Sequence, residues 1–264
     1  MSVVGAFLRR DFLIWSSYRL AVFWQVLGVL LLGGLVYFVG VTLGDGQPIG
    51  GRRSASFIAF AFSGIAITDV VMQAMYSVPQ AIRENQKAGT LEPMLLTPIG
   101  AIALLLSSSA FKFALALGRM LCYFAVGWVL LGFWHDTNPG AVLIVLVPGV
   151  AVFAALGSLS AAFVVLVKQG DPVLIAYAAV TAMLSGVFFP IDALPAWVQP
   201  LSALVPLTYV LAGARAGLDG APISQVLASA FLLAALAAVL LPLGVVACNW
   251  AVDRAKAEGS LGQY

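Results

Sequence analysis

The sequence is poor in charged side chains. Lys, Arg, Asp and Glu make up 9% of its 264 residues, whereas hydrophobic residues make up 62%. An ordinary soluble domain carries about 25% charged residues, because its surface must be solvated by water. This composition excludes a water-soluble globular protein and favours one whose solvent is lipid. The net charge of +2, spread along the chain, also argues against a nucleic-acid partner.

The side chains that carry most enzyme and metal chemistry are scarce as well. There is one histidine, His135, and the two cysteines, Cys122 and Cys248, lie in apolar runs where we expect small core residues. No Gly-x-x-x-x-Gly-Lys-Ser/Thr phosphate loop occurs, and no Ser-His-Asp or paired-carboxylate arrangement. The sequence therefore predicts no catalytic residue, no metal site and no cofactor bound by this chain.

What the sequence has in excess is long apolar runs. An α-helix needs about 20 residues to cross a hydrocarbon core about 30 Å thick, and six runs approach or exceed that length. They cover residues 20–43, 57–78, 111–133, 141–167, 173–189 and 226–250. The predicted fold is all-α, a polytopic membrane protein with six transmembrane helices in which residues 1–264 form a single domain.

The Lys and Arg residues outside the runs give an orientation, because such residues are enriched in cytoplasmic loops. Eight lie on the side that holds both termini: Arg9, Arg10, Arg19, Arg83, Lys87, Lys168, Arg254 and Lys256. Three lie on the other side: Arg52, Arg53 and Arg215. We therefore expect both termini in the cytoplasm.

Residues 1–19, which precede the first run, are amphipathic. One helical face carries Val4, Phe7, Leu8, Phe12 and Trp15. This pattern predicts an interfacial helix that lies on the inner leaflet. The helix either only anchors the first transmembrane helix or also contacts a cytoplasmic partner.

Residues 190–206, before the last run, are rich in proline and still apolar. These prolines preclude one continuous helix, and non-helical backbone at membrane depth is tolerated only where it is buried in protein or lines a cavity. We expect short helices that form an external re-entrant segment and act as a gate; the alternative is an apolar plug that only packs the helices together. The gate residues would be Pro190, Pro195, Trp197, Pro200 and Pro206.

Residues 79–100 form the predicted cytoplasmic loop between the second and third runs. Thr90 can cap a short helix that follows it, Glu92 would be favoured in the first turn by the helix dipole, and Gly89 allows the chain to turn. That helix would carry an apolar ridge of Leu91, Met94 and Leu95. Such a ridge fits a groove on another protein and fits the membrane surface equally well.

Two stretches share a pattern with a known family. Glu84 is followed by Gly-Thr-Leu-Glu at residues 89–92 and by Leu-Leu-Thr-Pro at residues 95–98. Phe-Phe-Pro, Leu-Pro-Ala-Trp and Pro-Leu-Thr-Tyr then occur in that order within residues 188–209. Both stretches resemble the ABC-2 type permeases, the membrane subunits of ATP-binding-cassette exporters. With six runs and internal termini, the resemblance covers essentially the whole chain.

The resemblance implies a permease subunit in the bacterial cytoplasmic (inner) membrane, rather than an enzyme. It would work with a second copy of the permease, with membrane lipids around it, and with separate ABC ATPase subunits that bind ATP and Mg. The cargo of such an exporter would be drug-like, a lipid or a polysaccharide. The residues implied to couple to the ATPase are Glu84, Lys87, Gly89, Thr90, Leu91, Glu92, Met94 and Leu95.

Three charged residues fall within or beside the runs: Asp69, Lys112 and Arg119. Residues 100–134 would make a helix of about 52 Å, longer than a membrane core, so we expect an interruption at residues 107–109, with Lys112 near the inner interface. Charges at membrane depth are costly and often functional. Asp69 and Arg119 form either a structural ion pair or part of a substrate contact.

Two other classes of protein stay open from the residues. One is a membrane-embedded lipid-modifying transferase, in which Arg119 or Lys112 would hold a phosphate. The other is a self-sufficient channel, which would conduct without any partner. Co-purification with an ATPase subunit separates the transferase from a permease, and the channel predicts conductance from the purified chain alone.

Overall fold

The computed structural model describes residues 3–17, 19–44, 54–90, 101–129, 136–167 and 172–257, most of which are helical. In chain order the helices are α1 Val3–Ser17, α2 Arg19–Gly44, α3 Ser54–Lys87, α4 Ala101–Val129, α5 Pro139–Val167, α6 Pro172–Leu184, α7 Gln199–Ser202, α8 Pro206–Leu218 and α9 Ile223–Ala257, with a 3-10 helix at Ile191–Ala193. The predicted all-α fold is confirmed.

Four helices in the described residues are long and apolar enough to cross a membrane. These stretches are Phe57–Lys87, Ser109–Val129, Pro139–Val165 and Ile223–Ala255. The first predicted run lies within α2, a helix of 26 residues. The chain is therefore a multi-pass membrane protein, and the number of six crossings stays a prediction.

Helix α5 lies at the centre of the bundle and packs against α3, α8 and α9. Small residues allow these helices to approach closely, as is common between membrane helices. A Cβ on Gly157 of α5 would lie 2.1 Å from the carbonyl oxygen of Met75 on α3, and one on Gly244 of α9 would lie 2.8 Å from that of Ala155. The core is thus built on backbone contacts as well as on side chains.

The bundle has two ends, which we call the Lys87 end and the Asn138 end. Helices α3, α5 and α9 run from the Asn138 end to the Lys87 end, where Val78, Val165 and Val252 share one buried cluster. Helix α4 runs in the opposite direction, as the two ion pairs described below show, since they join it to α3 in antiparallel order.

The amphipathic N-terminal segment is helix α1, as the sequence predicts, and it packs on α4. The ring centroid of Phe111 on α4 lies 6.4 Å from that of Phe12 and 6.0 Å from that of Trp15. The apolar face of α1 is therefore partly covered by protein.

The expected interruption at residues 107–109 is wrong, because α4 is continuous from Ala101 to Val129. Ser107 and Ser109 are buried, with 6% and 3% of their surface exposed. Their small side chains let α4 pack closely against its neighbours without breaking the helix. Cys122 also differs from expectation because it is exposed, whereas Cys248 is buried as expected.

Two predicted boundaries also differ from the structure. Helix α3 continues to Lys87, so residues 79–87 of the predicted loop are helical. Between the apolar run and Gly89, Pro79 is the only residue that strongly disfavours a helix, and the helix continues past it. Helix α6 ends at Leu184 although its apolar run extends to residue 189, because Gly186 adopts a φ of +75°. At 13 residues, or about 20 Å, α6 is shorter than a hydrocarbon core.

Candidate functional site

The end of α3 is fixed by a Schellman motif. The amide of Thr90 donates to the carbonyl of Asn85 (2.9 Å), and the amide of Gly89 donates to that of Gln86 (3.0 Å). Gly89 has a φ of +65°, which favours glycine, and Lys87 lies in the last turn, where the helix dipole favours a cation. The chain therefore leaves α3 in one defined direction.

Thr90 is held back against α3 at this point. Its hydroxyl donates to the side-chain oxygen of Asn85 at 3.0 Å, and the Asn85 amide nitrogen donates to the carbonyl of Ala81 at 2.7 Å. The helix expected after Thr90 lies outside the described residues, as do Leu91, Glu92, Met94 and Leu95.

Glu84 forms an ion pair with Lys112 of α4. The side chain of Glu84 is 61% exposed and that of Lys112 is 34% exposed, so water screens the pair. The pair joins the end of α3, from which the predicted coupling segment departs, to the first half of α4.

Asp69 and Arg119 form a two-pronged ion pair farther along the same two helices. The Arg119 Nε donates to one carboxylate oxygen at 2.7 Å, and its Nη2 donates to the other at 3.1 Å. The sequence names Asp69 as a possible partner of Arg119, and the structure contains this contact. The side chains are 31% and 25% exposed, respectively, so the pair is neither fully buried nor free in water.

The predicted gate residues occupy a chain of turns and short helices. Pro190 precedes the 3-10 helix, Pro195 accepts the Val198 amide at 2.8 Å, and Pro200 lies in α7. Pro206 is the first residue of α8, where its fixed φ and missing N–H suit a helix start. The side chain of Trp197 points away from the chain, because 77% of the residue is exposed.

Side-chain hydrogen bonds fold these turns onto α8. The Thr208 hydroxyl donates to the carbonyl of Ser202 at 2.8 Å, and the Tyr209 hydroxyl donates to that of Ala203 at 2.9 Å. Gln199 donates in turn to the carbonyl of Leu194 at 3.0 Å. The segment therefore has a defined structure despite its prolines.

Helix α8 lies antiparallel to the first half of α5. The Asn138 amide donates to the carbonyl of Gly217 at 2.9 Å, so the end of α8 lies beside the start of α5. Farther in, Gly213 faces Val145 and Gly149 faces Val210. The start of α8 therefore lies about 18 Å deeper in the bundle than its end.

Arg215 on α8 joins three parts of the chain. Its guanidinium donates to the carbonyl of Gly186 at 2.9 Å and to that of Val187 at 3.1 Å, just after α6. It also donates to the carbonyl of Phe60 at 3.0 Å and to the Ser63 hydroxyl at 3.3 Å, both on α3. The Phe60 ring lies under the same guanidinium, with the ring centroid 3.5 Å from Cζ.

Gly64 makes room for this junction. A Cβ at this position would lie 2.2 Å from the carbonyl oxygen of Val187 and 2.5 Å from Nη2 of Arg215. Only glycine therefore lets α3 approach the turn after α6 so closely.

Two of these contacts are not expected from the sequence. Arg215 is predicted in an external connection, yet the 13 residues Pro206–Leu218 form a helix that begins with proline and buries Leu207, Val210, Leu211 and Leu218. The apolar spacing of these residues is the signal that indicates the helix. The contact between Glu84 and Lys112 depends on the continuation of α3 to Lys87, which the apolar run does not predict.

Known proteins resemble this chain along most of its length. A family model described as ABC-2 type transporter matches residues 3–218. The chain is 28% identical over 228 residues to nodulation protein J of Rhizobium leguminosarum bv. viciae, a match that covers 83% of each protein. It is 25% identical over 159 residues to linearmycin resistance permease protein LnrN of Bacillus subtilis (strain 168), a match that covers 56% of this chain and 41% of that protein.

Proposed function

The chain belongs to the ABC-2 type transporter family, and from this premise we propose that it is the membrane subunit of an exporter driven by separate ATPase subunits. The observation that carries the proposal is the family match over residues 3–218 of a chain whose long apolar helices make it a multi-pass permease. Two copies of the chain form the translocation pathway, and the ATPase subunits bind the ATP and Mg.

The Lys87 end of the bundle faces the cytoplasm in this proposal. The excess of Lys and Arg on the side that holds both termini supports it, as the positive-inside rule requires. In this orientation the predicted re-entrant segment lies on the external side of the membrane. The antiparallel packing of α8 on α5 supports a chain that enters the outer leaflet and returns. The membrane is the bacterial cytoplasmic membrane.

Coupling occurs at the end of α3. The Schellman motif at Gly89 sets the direction in which residues 91–98 leave the helix, and their apolar ridge docks in a groove of the ATPase subunit. Because Glu84 binds Lys112, a displacement of residues 91–98 that moves the end of α3 also displaces α4. ATP-driven motion of the ATPase is thereby passed to two transmembrane helices.

The cargo leaves past the re-entrant segment at residues 190–206. A drug-like molecule, a lipid or a polysaccharide fits a permease without a large external domain. The name of the Bacillus relative, a linearmycin resistance permease protein, supports a drug-like cargo.

The test combines co-purification with charge reversal. The tagged chain is expressed together with a candidate ABC ATPase subunit from the same genome, and we expect the two to co-elute with ATPase activity. Glu92→Arg, or a double change of Leu91 and Leu95 to Ala, is expected to uncouple ATP hydrolysis from export at an unchanged amount of protein in the membrane.

The matched control is Asp253→Arg, the same reversal at an exposed carboxylate near the Lys87 end of α9. It should leave coupling intact. Transport by the purified chain without an ATPase, or normal coupling in the Glu92 and leucine variants, would contradict the proposal.

A further inference from the structure

The buried apolar side chains of the described residues form two clusters, which we call the large core and the small core. The large core lies toward the Asn138 end, and its last buried members on α3 and α9 are Met75 and Ala237. The small core lies at the Lys87 end and begins at Val78 on α3 and Cys248 on α9. On α5, residues 154–160 contribute a buried apolar side chain to neither core. The bundle is therefore divided into two packed parts.

Two of the three helices carry a proline near this division. Pro79 lies in α3 and Pro242 lies in α9, and both helices continue past them. Because a proline has no N–H, Pro79 cannot donate to the carbonyl of Met75, and Pro242 cannot donate to that of Ala238. Each helix therefore lacks one backbone hydrogen bond, and a helix bends most easily where such a bond is missing.

The third helix, α5, meets the other two at this level through glycines. A Cβ on Gly157 would lie 2.1 Å from the carbonyl oxygen of Met75, the same carbonyl to which the proline of α3 cannot donate. A Cβ on Gly244, two residues after the proline of α9, would lie 2.8 Å from the carbonyl oxygen of Ala155. These contacts place both interruptions beside residues 154–160 of α5, a stretch of about 10 Å.

Serines take the place of larger apolar side chains at the same level. The hydroxyl of Ser77 donates to the carbonyl of Ala74 at 2.7 Å, and that of Ser158 donates to the carbonyl of Ala154 at 3.0 Å. Each hydroxyl thus bonds to the preceding turn of its own helix, a contact that often bends helices. We call this level of the bundle the interrupted layer, and it consists of Ser77, Pro79, Gly157, Ser158, Pro242 and Gly244.

The two cores are stiffer than the layer between them. Close-packed apolar side chains resist deformation, because separating them loses dispersion contacts. In the small core, Ile82, Val164 and Val252 are buried together, so α3, α5 and α9 are held to one another at the Lys87 end. The interrupted layer has small side chains and two missing backbone hydrogen bonds instead. Bending the bundle therefore costs less in the layer than in either core.

We infer that the interrupted layer is a hinge, about which the small core tilts as one body against the large core. The hinge is a property of the chain alone, whereas its use in transport rests on the proposed permease function. In that function, residues 91–98 follow the end of α3 that belongs to the small core, so an ATPase that moves them tilts the small core. The Arg215 junction, which contacts α3 at Phe60 and Ser63, lies on the large-core side and stays in place.

The first experiment measures the bending of α9 by double electron-electron resonance between spin labels on cysteines. Labels at Leu227→Cys and Asp253→Cys lie on opposite sides of Pro242, about 39 Å apart along a straight helix. Labels at Leu227→Cys and Val239→Cys lie on one side of it, about 18 Å apart, and form the matched control. We expect the distance distribution of the first pair to be at least about twice as wide, because only that pair spans the hinge.

The labels are placed where they can be attached without disturbing either core. Leu227, Val239 and Asp253 are all exposed. The background is Cys122→Ser, because Cys122 is exposed, whereas Cys248 is buried and is kept. Labelled chains in nanodiscs are diluted with unlabelled ones, so that the distances measured lie within one chain.

The second experiment tests whether the bending occurs in the interrupted layer. The combination of Pro79→Ala and Pro242→Ala restores both backbone donors, and we expect it to narrow the distribution of the pair across the hinge by at least about a third. Pro148→Ala is the matched control, because Pro148 lies in α5 on the large-core side of the layer. It should leave the width unchanged. The control pair on one side of the hinge shows whether α9 is still folded in each variant.

Two results would overturn the hinge. Equal widths for the two label pairs would show that the prolines produce a fixed kink rather than a bending motion. Equal narrowing by Pro148→Ala would show that the motion is not located in the interrupted layer.

A third measurement adds the ATPase and tests the use of the hinge in transport. In the co-purified complex, ATP with orthovanadate is expected to shift the mean distance across the hinge by at least about 3 Å and to leave the control distance unchanged. A complex that hydrolyses ATP without this shift would overturn the role of the hinge in transport. A chain that binds no ATPase would contradict the proposed function and leave the widths measured without ATPase standing, so the two failures are distinguishable.

Discussion

Arg119 and Arg215, two part-buried arginines of the bundle, are held in opposite ways. Arg119 donates both of its described hydrogen bonds to one carboxylate, that of Asp69. Arg215 donates to three backbone carbonyls and a hydroxyl on two other parts of the chain. The first contact joins two side chains on regular helices, whereas the second fixes the position of the main chain in the turn after α6.

The difference predicts what each arginine stabilises. The Asp69 carboxylate can be replaced by an uncharged side chain, so the helices that it joins can lose this acceptor altogether. Carbonyls in the turn after α6 have no such alternative, because a backbone acceptor cannot be removed. Arg215 should therefore matter more than Arg119 for the stability of the fold.

The largest effect is expected for Arg215→Ala. This change removes the hydrogen bonds that Arg215 donates to the carbonyls of Phe60, Gly186 and Val187, at a cost of about 3 kcal/mol or more. We expect the apparent Tm in detergent to fall by about 10 °C, measured as the fraction that stays monodisperse after heating.

Arg215→Lys is the matched control, because it keeps the charge but not the planar fork of donors. We expect its apparent Tm to fall by less than that of Arg215→Ala. If Arg215→Ala were as stable as the unchanged protein, the junction would not hold the turn after α6.

Gly64→Ala should break the same junction from the other side. The added methyl would lie 2.2 Å from the Val187 oxygen, so the turn or α3 must move, which costs about 1–3 kcal/mol. The control is Gly118→Ala on α4, where nothing lies within 4 Å of the new Cβ and alanine favours the helix. Heat stability in detergent checks both. A Gly64→Ala protein as stable as Gly118→Ala would mean that the close approach of α3 is dispensable.

The sequence predicted most of the helices because lipid imposes a simple rule. Long apolar runs must be helical to satisfy their backbone, and α2, α3, α4, α5 and α9 follow the runs that predict them. The same rule made the Asp69–Arg119 pair predictable, since two opposite charges in neighbouring apolar helices need each other.

The junction at Arg215 was not predictable in the same way. Its acceptors are backbone carbonyls, which leave no mark in the side-chain sequence, and they lie 28 and 29 residues from it in the turn and 155 residues from it on α3. The boundary of α6 was missed for the same reason, because apolar residues continue past Gly186 while the backbone turns there.

A double-mutant cycle on Asp69 and Arg119 should show a smaller effect than the junction. Asp69→Asn and Arg119→Gln each remove one charge, and we expect each to cost about 1–2 kcal/mol. The double variant should cost less than the sum by about 1 kcal/mol, because no unpaired charge is left. The coupling free energy is obtained from the thermal unfolding of the unchanged protein, the two single variants and the double variant in the same detergent. Strict additivity would show that the two side chains do not stabilise each other.

The smallest effect on stability is expected for the Glu84–Lys112 ion pair, which is more exposed to water than the contacts of Arg119 and Arg215. Glu84→Gln should cost about 0.5 kcal/mol, because exposed ion pairs contribute little and are screened. In about 1 M salt, where the screening length is near 3 Å, its difference from the unchanged protein should vanish, whereas that of Arg215→Ala should persist. Melting at low and high salt separates the two cases. A salt-independent loss in Glu84→Gln would mean that this pair, too, is shielded from water, and that the Lys87 end of α3 is covered in the folded protein.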